Sequence, residues 1–435
     1  MSADRSGTAS PVHRTVEAVW RMESARIIGG LARVLRDVGL AEELAQDALV
    51  AALEQWPREG VPERPAAWLT ATAKHRAIDA IRRKALHERK AHELAWEIEE
   101  QLKDAAPDLG SAIDAAFDDP IGDDTLRLVF VACHPVLSRE ARVALTLRLL
   151  GGLATGEIAR AFLVPEPTIA QRIVRAKRTL AEARVPFEVP AAAELAERLS
   201  SVLEVIYLVF NEGYSATAGE DWVRPAVCEE ALRLGRILAE RMPAESEVHG
   251  LVALMEIQAS RIRARVGPRG EPVLLLDQDR SRWDRLLIGR GLAALARAEA
   301  TGAPAGGLGP YAVQAAIAAC HARAATADAT DWPRIAALYD GLAELAPSPV
   351  VELNRAVAVA MAFGPAAGLE IVDALADDPR LADYHLLPSV RGDLLAKLGR
   401  RDEARREFER AAALTRNERE RELMLARAAA CAAAG

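Results

Sequence analysis

The stretch LATGEIARAFLVPEPTIAQRIVRAKRTLAEA, Leu153 to Ala183, constrains this chain more than any other, because it reads as two short helices joined by a tight turn, the second strongly basic. Ile158, Ala159 and Phe162 form an apolar face on a first helix expected from Thr155 to Phe162. Leu163, Val164 and Pro165 supply the turn, since proline lacks the N–H a helix needs and disfavours helical geometry at the residue before it. Pro167, a first-turn proline, and Thr168, a capping-type residue, open the second helix. Its remaining face carries Gln171, Arg172, Arg175, Lys177 and Arg178. Such side chains suit phosphates and major-groove base edges, which makes the stretch a helix-turn-helix with a recognition helix. A basic helix is also how a solvated surface is made, and the rest of the chain has to decide between the two.

With 435 residues the chain has room for two to four domains. Ala and Leu dominate an apolar content of 51%, aromatics are only 4%, and this balance favours closely packed helices, so the expected fold class is all-α. No run approaches the roughly eighteen uninterrupted apolar residues of a membrane span, and the start MSADRSGTASPVHR lacks the apolar core of a signal peptide. The expected location is cytoplasmic, without a membrane partner. Cys133, Cys228, Cys320 and Cys431 are scattered with no CxxC pair, which reads as buried thiols and not as a zinc site or disulfide framework.

A net charge of −8 runs against nucleic-acid binding until it is divided along the chain. Residues 1–90 carry a net +3 and residues 123–184 a net +4, while residues 91–122 carry −8 and the remainder −7. Two basic segments thus sit in an otherwise acidic protein.

The first fourteen residues are rich in Ser, Thr, Gly and Pro and are expected to be disordered. A helix should follow from Thr15 to about Val38, ended by Gly39, and a second from Leu40 to Trp56, stopped by Pro57. In the second, Leu44, Leu49 and Leu53 point inward while Glu43, Gln46 and Asp47 stand together on the surface. A third helix begins near Pro65, with Trp68, Leu69, Ile78 and Ile81 on one face and Lys74, Arg76, Arg82, Arg83, Lys84, Arg89 and Lys90 crowding the rest. Aromatic residues ahead of a basic helix suit melted DNA, whose bases stack on rings and whose phosphates need cations; a lone Trp also serves a core. Residues 91–122, acidic and broken by Pro107, Gly110, Pro120 and Gly122, read as a partly helical linker, either solubilising or lying on a basic surface. Helices from Thr125 to Cys133 and Ser138 to Leu150 then lead to a stop at Gly151-Gly152, and Pro186 and Pro190 mark a boundary. His134, with no second metal-type partner nearby, is taken as structural.

The order of these parts resembles the extracytoplasmic-function (ECF) sigma factors of bacterial RNA polymerase over roughly residues 14–184. AEELAQDALVAAL is similar to that family's polymerase-docking helix, which would carry the role to Glu43, Gln46, Asp47 and Val50. WLTATAKHRAIDAIRRK resembles its minus-ten helix, implying DNA contacts by Trp68, Lys74, His75, Arg76, Arg82, Arg83 and Lys84; His75 departs from the family's usual Asn. GEIARAFLVPEPTIAQRIVRAKRTL resembles its minus-thirty-five reader, implying Thr168, Gln171, Arg172, Arg175, Lys177 and Arg178, with base readout falling mainly to Gln171 and Arg172. The resemblance implies a sigma region 2 domain at 14–90, an acidic linker at 91–122, a region 4 helix-turn-helix domain at 123–185, and core RNA polymerase and promoter DNA as partners.

Residues 186–435 are additional. An apolar helix from Ser200 to Phe210 should end in a turn at Asn211-Glu-Gly-Tyr214, and helices should run from Asp221 to Met242, Glu245 to Val266 and Arg282 to Ala300. From Gly309 the chain repeats. Ile335 with Leu342, Leu369 with Ala376 and Ala404 with Ala411 are each seven apart, successive first positions differ by 34 and 35, and Gly364 and Gly399 occupy equivalent turns. That period belongs to tetratricopeptide-like (TPR) helical repeats, whose concave surface would take a protein or small-molecule ligand; it resembles the ECF subgroup carrying such an extension.

No Gly-rich phosphate loop, HExxH, GxSxG or grouped metal ligands occur, so no catalytic residue, metal or cofactor is assigned and no enzyme is expected. Gly306-Gly-Leu-Gly309 reads as an inter-repeat loop. Asp277, Asp279, Arg280, Asp284 and Arg285 read as a network of ion pairs at a helix start. The expected function is promoter recognition by a sigma subunit regulated by its C-terminal half; the alternative is a helix-turn-helix repressor or activator with a sensing domain.

Overall fold

The computed structural model describes residues 11–92, 123–162, 164–215, 223–268, 270–303 and 307–433. Among these the regular structure is helical, with short 3-10 turns and one isolated bridge between Val266 and Pro272, as the all-α expectation requires. No described helix is long and apolar enough to cross a membrane. The chain forms two compact units divided between Val205 and Ile206. The acidic segment from 93 to 122 and the residues before 11 lie outside the described residues.

The first unit opens with α1 (Pro11–Leu35), α2 (Val38–Glu59) and α3 (Pro65–His92). Val16, Trp20, Ile27, Ile28 and Leu31 of α1 are buried against Leu44, Trp56 and the small Ala41, Ala45, Ala48, Ala51 and Ala52 of α2, and against Leu69, Ala73 and Ala77 of α3. Leu49 and Leu53 are only partly buried, because this alanine stripe is the face that packs. Three expected boundaries move. α1 begins at Pro11, so residues 11–14, expected to be disordered, are its first turn. α1 ends at Leu35, where Arg36 takes a left-handed φ of 53° and Asp37 caps α2 by accepting from Leu40 N at 3.0 Å, so Gly39 lies in the first turn of α2. Pro57 is accommodated inside the last turn of α2, which runs on to Glu59 and closes at Gly60.

Next come α4 (Asp123–Ala132), α5 (Arg139–Leu149), α6 (Thr155–Phe162), α7 (Glu166–Glu182) and α8 (Ala192–Tyr214). Ser138 caps α5 by accepting from Ala141 N at 3.3 Å. The stop at Gly152 has a double cause: its φ is +64°, and a Cβ there would lie 2.9 Å from the Ser24 hydroxyl of α1. The first half of α8 is tied to the helices around the turn: Arg198 donates to Phe130 O at 2.8 Å, Ser201 to Cys133 O at 2.6 Å, and Arg142 pairs with Glu204 at 3.3 Å. The expected turn at Asn211 to Tyr214 is instead the last turn of α8, since Ser215 N still donates to Asn211 O at 2.8 Å.

The second unit contains the end of α8, then α9 (Pro225–Arg241), α10 (Ser246–Ala259), α11 (Arg285–Gly302), α12 (Pro310–Arg323), α13 (Trp332–Leu345), α14 (Pro349–Phe363), α15 (Pro365–Ala374), α16 (Leu386–Lys397), α17 (Arg401–Leu414) and α18 (Glu418–Ala433). From α12 onward each helix packs on the next, around cores holding Ile335, Leu342, Leu369, Ala404 and Ala411. Gly364 and Gly399 share a positive φ, 104° and 76°, as equivalent turns should. Ala376 breaks the pattern: α15 ends at Ala374 and Ala376 is exposed. The ion-pair network expected at 277–285 is also replaced. Asp279 caps Ser281 N, Asp284 caps Leu286 and Leu287 N, and Arg280 is buried, donating to His321 O, Ala324 O and Thr330 Oγ1 at 2.6, 2.7 and 3.2 Å. Backbone donors and acceptors at the loop and helix ends take up the charges.

Candidate nucleic-acid interface

The helix-turn-helix forms as its pattern demands. α6 covers Thr155–Phe162 and buries Ile158 and Ala159; α7 begins at Glu166 with Pro167 in its first turn and buries Ile169, Ile173, Ala176 and Leu180. That stripe at three- and four-residue spacing fixes the opposite face by elimination: Ala170, Gln171, Val174, Arg175 and Arg178 are exposed, with Thr168 and Arg172 half-exposed beside them. Among the described residues Arg178 pairs with Glu182 on its own helix, at 2.7 Å in solvent, a contact that a phosphate can replace. Val174 is 65% exposed in the middle of this cationic face and was invisible to a reading that counted only polar side chains.

Lys177 departs from its neighbours. It leans off the exposed face and ion-pairs with Glu42 of α2, which also accepts from Arg148 Nε of α5 at 2.9 Å and from Gln46 of its own helix. Glu42 is only 4% exposed. A second pair, Arg21 of α1 with Glu157 of α6 at 2.8 Å, joins the same parts of the unit. Neither Glu42 nor Arg148 carries a signal along the sequence, since their pairing spans 106 residues.

On α2, Glu43, Asp47 and Val50 are exposed at spacings of four and three, Val50 at 50%, while Gln46 is partly covered and bonded to Glu42. α3 presents His75, Arg82 and Arg83 as exposed and Lys74 and Arg76 as half-exposed; the Lys84 side chain lies outside the described residues. Arg76 approaches Asp47 at 3.4 Å, linking the two faces. Trp68 is half-buried, edge-on to the fully buried Trp56 with ring centroids 5.5 Å apart. It therefore serves the core through one edge and keeps part of its surface in solvent.

The cysteines are free; Cys133, Cys228 and Cys320 are buried, and burial pushes the Cys133 and Cys228 thiols up to about 11 and about 12. His134 accepts from Val136 N at 3.1 Å, and burial lowers its pKa.

Comparison with known proteins agrees with this geometry. Residues 20–86 match Sigma-70 region 2 and residues 127–180 match Sigma-70 region 4. Residues 198–299 match a family of unknown function (DUF6596), so over that part of the C-terminal half the match is not to tetratricopeptide repeats. Among curated relatives, the uncharacterized protein R00370 of Rhizobium meliloti (strain 1021) is 46% identical over 390 residues, 90% of this chain and 89% of that protein. The ECF RNA polymerase sigma factor SigK of Mycobacterium ulcerans (strain Agy99) is 32% identical over 159 residues, 36% of this chain and 78% of the relative; SigK of Mycobacterium tuberculosis (strain ATCC 25618 / H37Rv) is 28% identical over 160 residues, with the same two shares. No solved structure matches the chain. With region 2 on α1 to α3, region 4 on α4 to α7, and a sigma-factor relative 32% identical over 78% of its own length, the chain belongs to the extracytoplasmic-function sigma factors of RNA polymerase.

Proposed function

We propose that the chain binds core RNA polymerase and directs it to promoters, with residues 186–435 acting as a built-in regulator. In this reading Glu43, Gln46, Asp47 and Val50 of α2 dock on the polymerase. Trp68, Lys74, His75, Arg76, Arg82, Arg83 and Lys84 of α3 engage the melted minus-ten strand. Thr168, Gln171 and Arg172 of α7 read the minus-thirty-five duplex while Arg175, Lys177 and Arg178 hold its backbone.

The observation that carries the reading is the exposed face of α7: Gln171, Arg175 and Arg178 share one side of a helix whose other side is fully engaged in the core. Within the first unit Lys177 is held by Glu42. Lys177 reaches a phosphate only when its side chain leaves Glu42, and an element able to bias that exchange sets activity. The C-terminal helices, packed in sequence with turns 35 residues apart at Gly364 and Gly399, fit a tetratricopeptide-like surface for a protein or small-molecule ligand.

The test is transcription in vitro with core polymerase and a promoter selected from random DNA by the reconstituted holoenzyme. Specific initiation is expected. If the chain neither binds core polymerase nor initiates, the reading fails; DNA binding without polymerase binding would make it an ordinary helix-turn-helix regulator. Removal of residues 206–435, which leaves α8 tied to Phe130 and Cys133, should change the initiation rate severalfold.

A further inference from the structure

In the second unit, basic and aromatic side chains alternate in a ladder, with Arg261, Arg280 and Trp283 buried and Tyr214 and Arg265 half-buried. The Arg265 guanidinium lies 3.8 Å from the centroid of the Tyr214 ring, Arg261 lies 5.9 Å from that ring and 5.8 Å from Trp283, and Arg280 lies 4.7 Å from Trp283. Arg280 belongs to the framework: its two terminal nitrogens are occupied by His321 O, Ala324 O and Thr330 Oγ1. Arg261 is different. It is 7% exposed, its Nε meets no acceptor, and the polar groups acting on it among the described residues are the Tyr214 phenol, which hydrogen-bonds it, and Arg265, a like charge. The indole N–H of Trp283 and Nδ1 of His321 in the same neighbourhood are likewise without partners.

A buried guanidinium that meets no anion among the described residues is costly, and two rings offset only part of that cost. Cation–π attraction does not satisfy N–H groups, and beside the hydrogen bond to Tyr214 the Nε of Arg261 is left without an acceptor. The edge formed by Nε and one Nη is the fork that binds a carboxylate or phosphate through two parallel hydrogen bonds. We propose that Arg261, set between Tyr214 and Trp283, is the centre of an oxyanion-binding site that takes the phosphate or carboxylate group of a small ligand. Tyr214 is the last residue of α8, and the first half of that helix is hydrogen-bonded to Phe130 and Cys133 beside the helix-turn-helix. An anion bound to Arg261 therefore sits against the last residue of α8. The existence of the site does not depend on sigma activity; only its regulatory role rests on that reading.

The test uses the full chain without polymerase, so its failure is separable from failure of promoter recognition. Inorganic phosphate and malonate are titrated at constant ionic strength against chloride, with binding followed by calorimetry. One saturable site per chain is expected for at least one of them, and the preferred probe tells a phosphate ligand from a carboxylate ligand. Arg261→Met should weaken that binding at least tenfold, while Arg290→Met, at an exposed position on α11, should change it less than twofold. Absence of saturable binding by both anions, or unaltered binding by Arg261→Met, overturns the proposal. Because Arg261→Met can compromise folding, crystals of the unmodified protein grown with tungstate, a phosphate stand-in, give a second readout. Anomalous density within hydrogen-bond distance of Arg261 Nε supports the site, and tungstate density found only elsewhere overturns it.

Discussion

Two clusters, one in each unit, use cationic side chains in opposite ways. In the first, around α7, Arg175 and Arg178 stand in solvent, while Arg148 and Lys177 turn inward and converge on one carboxylate, Glu42. In the second, Arg261 and Arg280 are buried and are answered by rings, a hydroxyl and backbone carbonyls. The difference teaches what each can do. An ion pair between separate helices can open, because water re-solvates all three charges once they part, whereas an arginine stitched to the carbonyls at the end of α12 cannot leave without unravelling its loop. The first arrangement suits a surface that must be released to DNA, the second a rigid frame around a small site.

Removing the shared carboxylate should break that contrast most severely. Glu42→Gln leaves Arg148 and Lys177 facing each other without an anion, and urea unfolding of the first unit should show a loss of about 3–5 kcal/mol. Adding Lys177→Met should recover part of it; a Glu42→Gln protein as stable as the original would mean that the pairing does not form in solution.

For the second unit, pH is the sharper probe. Burial first, then Arg261 and Arg280, lowers the pKa of His321 from 6.5 to about 4. The unfolded chain therefore takes up this proton at a higher pH than the folded one. Stability fully present above pH 6.5 should be lost as pH falls toward 4, by up to about 3 kcal/mol. Thermal unfolding of the original protein and of His321→Gln across that window should diverge above pH 6.5 and converge toward pH 4; parallel curves would place the ring in water.

A backbone change tests the frame of the first unit. Gly152→Ala combines a left-handed φ with a Cβ 2.9 Å from Ser24 Oγ and should destabilise by about 1–2 kcal/mol in chemical denaturation. The smallest expected effect lies on α7. Arg175→Ala should lower the slope of log affinity against log salt for promoter DNA by about 1, while Lys177→Ala should change it less, since Lys177 must first give up Glu42. Equal slopes would show that Glu42 does not compete for Lys177.

Much of the first unit was legible in the sequence because its signals are local. The stripe Ile169, Ile173, Ala176 and Leu180 follows from helical spacing alone and fixes which side of α7 faces outward. Gly152, Gly364 and Gly399 announce their turns for the same reason. Boundaries failed where a local rule met a stronger neighbour: Asp37 captured the start of α2 ahead of Gly39, and the last turn of α8 held Asn211 to Tyr214 in a helix despite their turn-forming composition.

What the sequence by itself determined is helical content, the helix-turn-helix and the exposed faces of α2 and α7, all set by interactions between residues a few positions apart. Tertiary structure alone decided that Glu42 gathers Arg148 from 106 residues away and Lys177 from 135, and that Arg280 reaches His321 across 41. The physical reason is that a buried charge takes whichever partner packing brings within about 3 Å of it, and the identity of that partner is a property of the folded core, carried by no spacing along the chain.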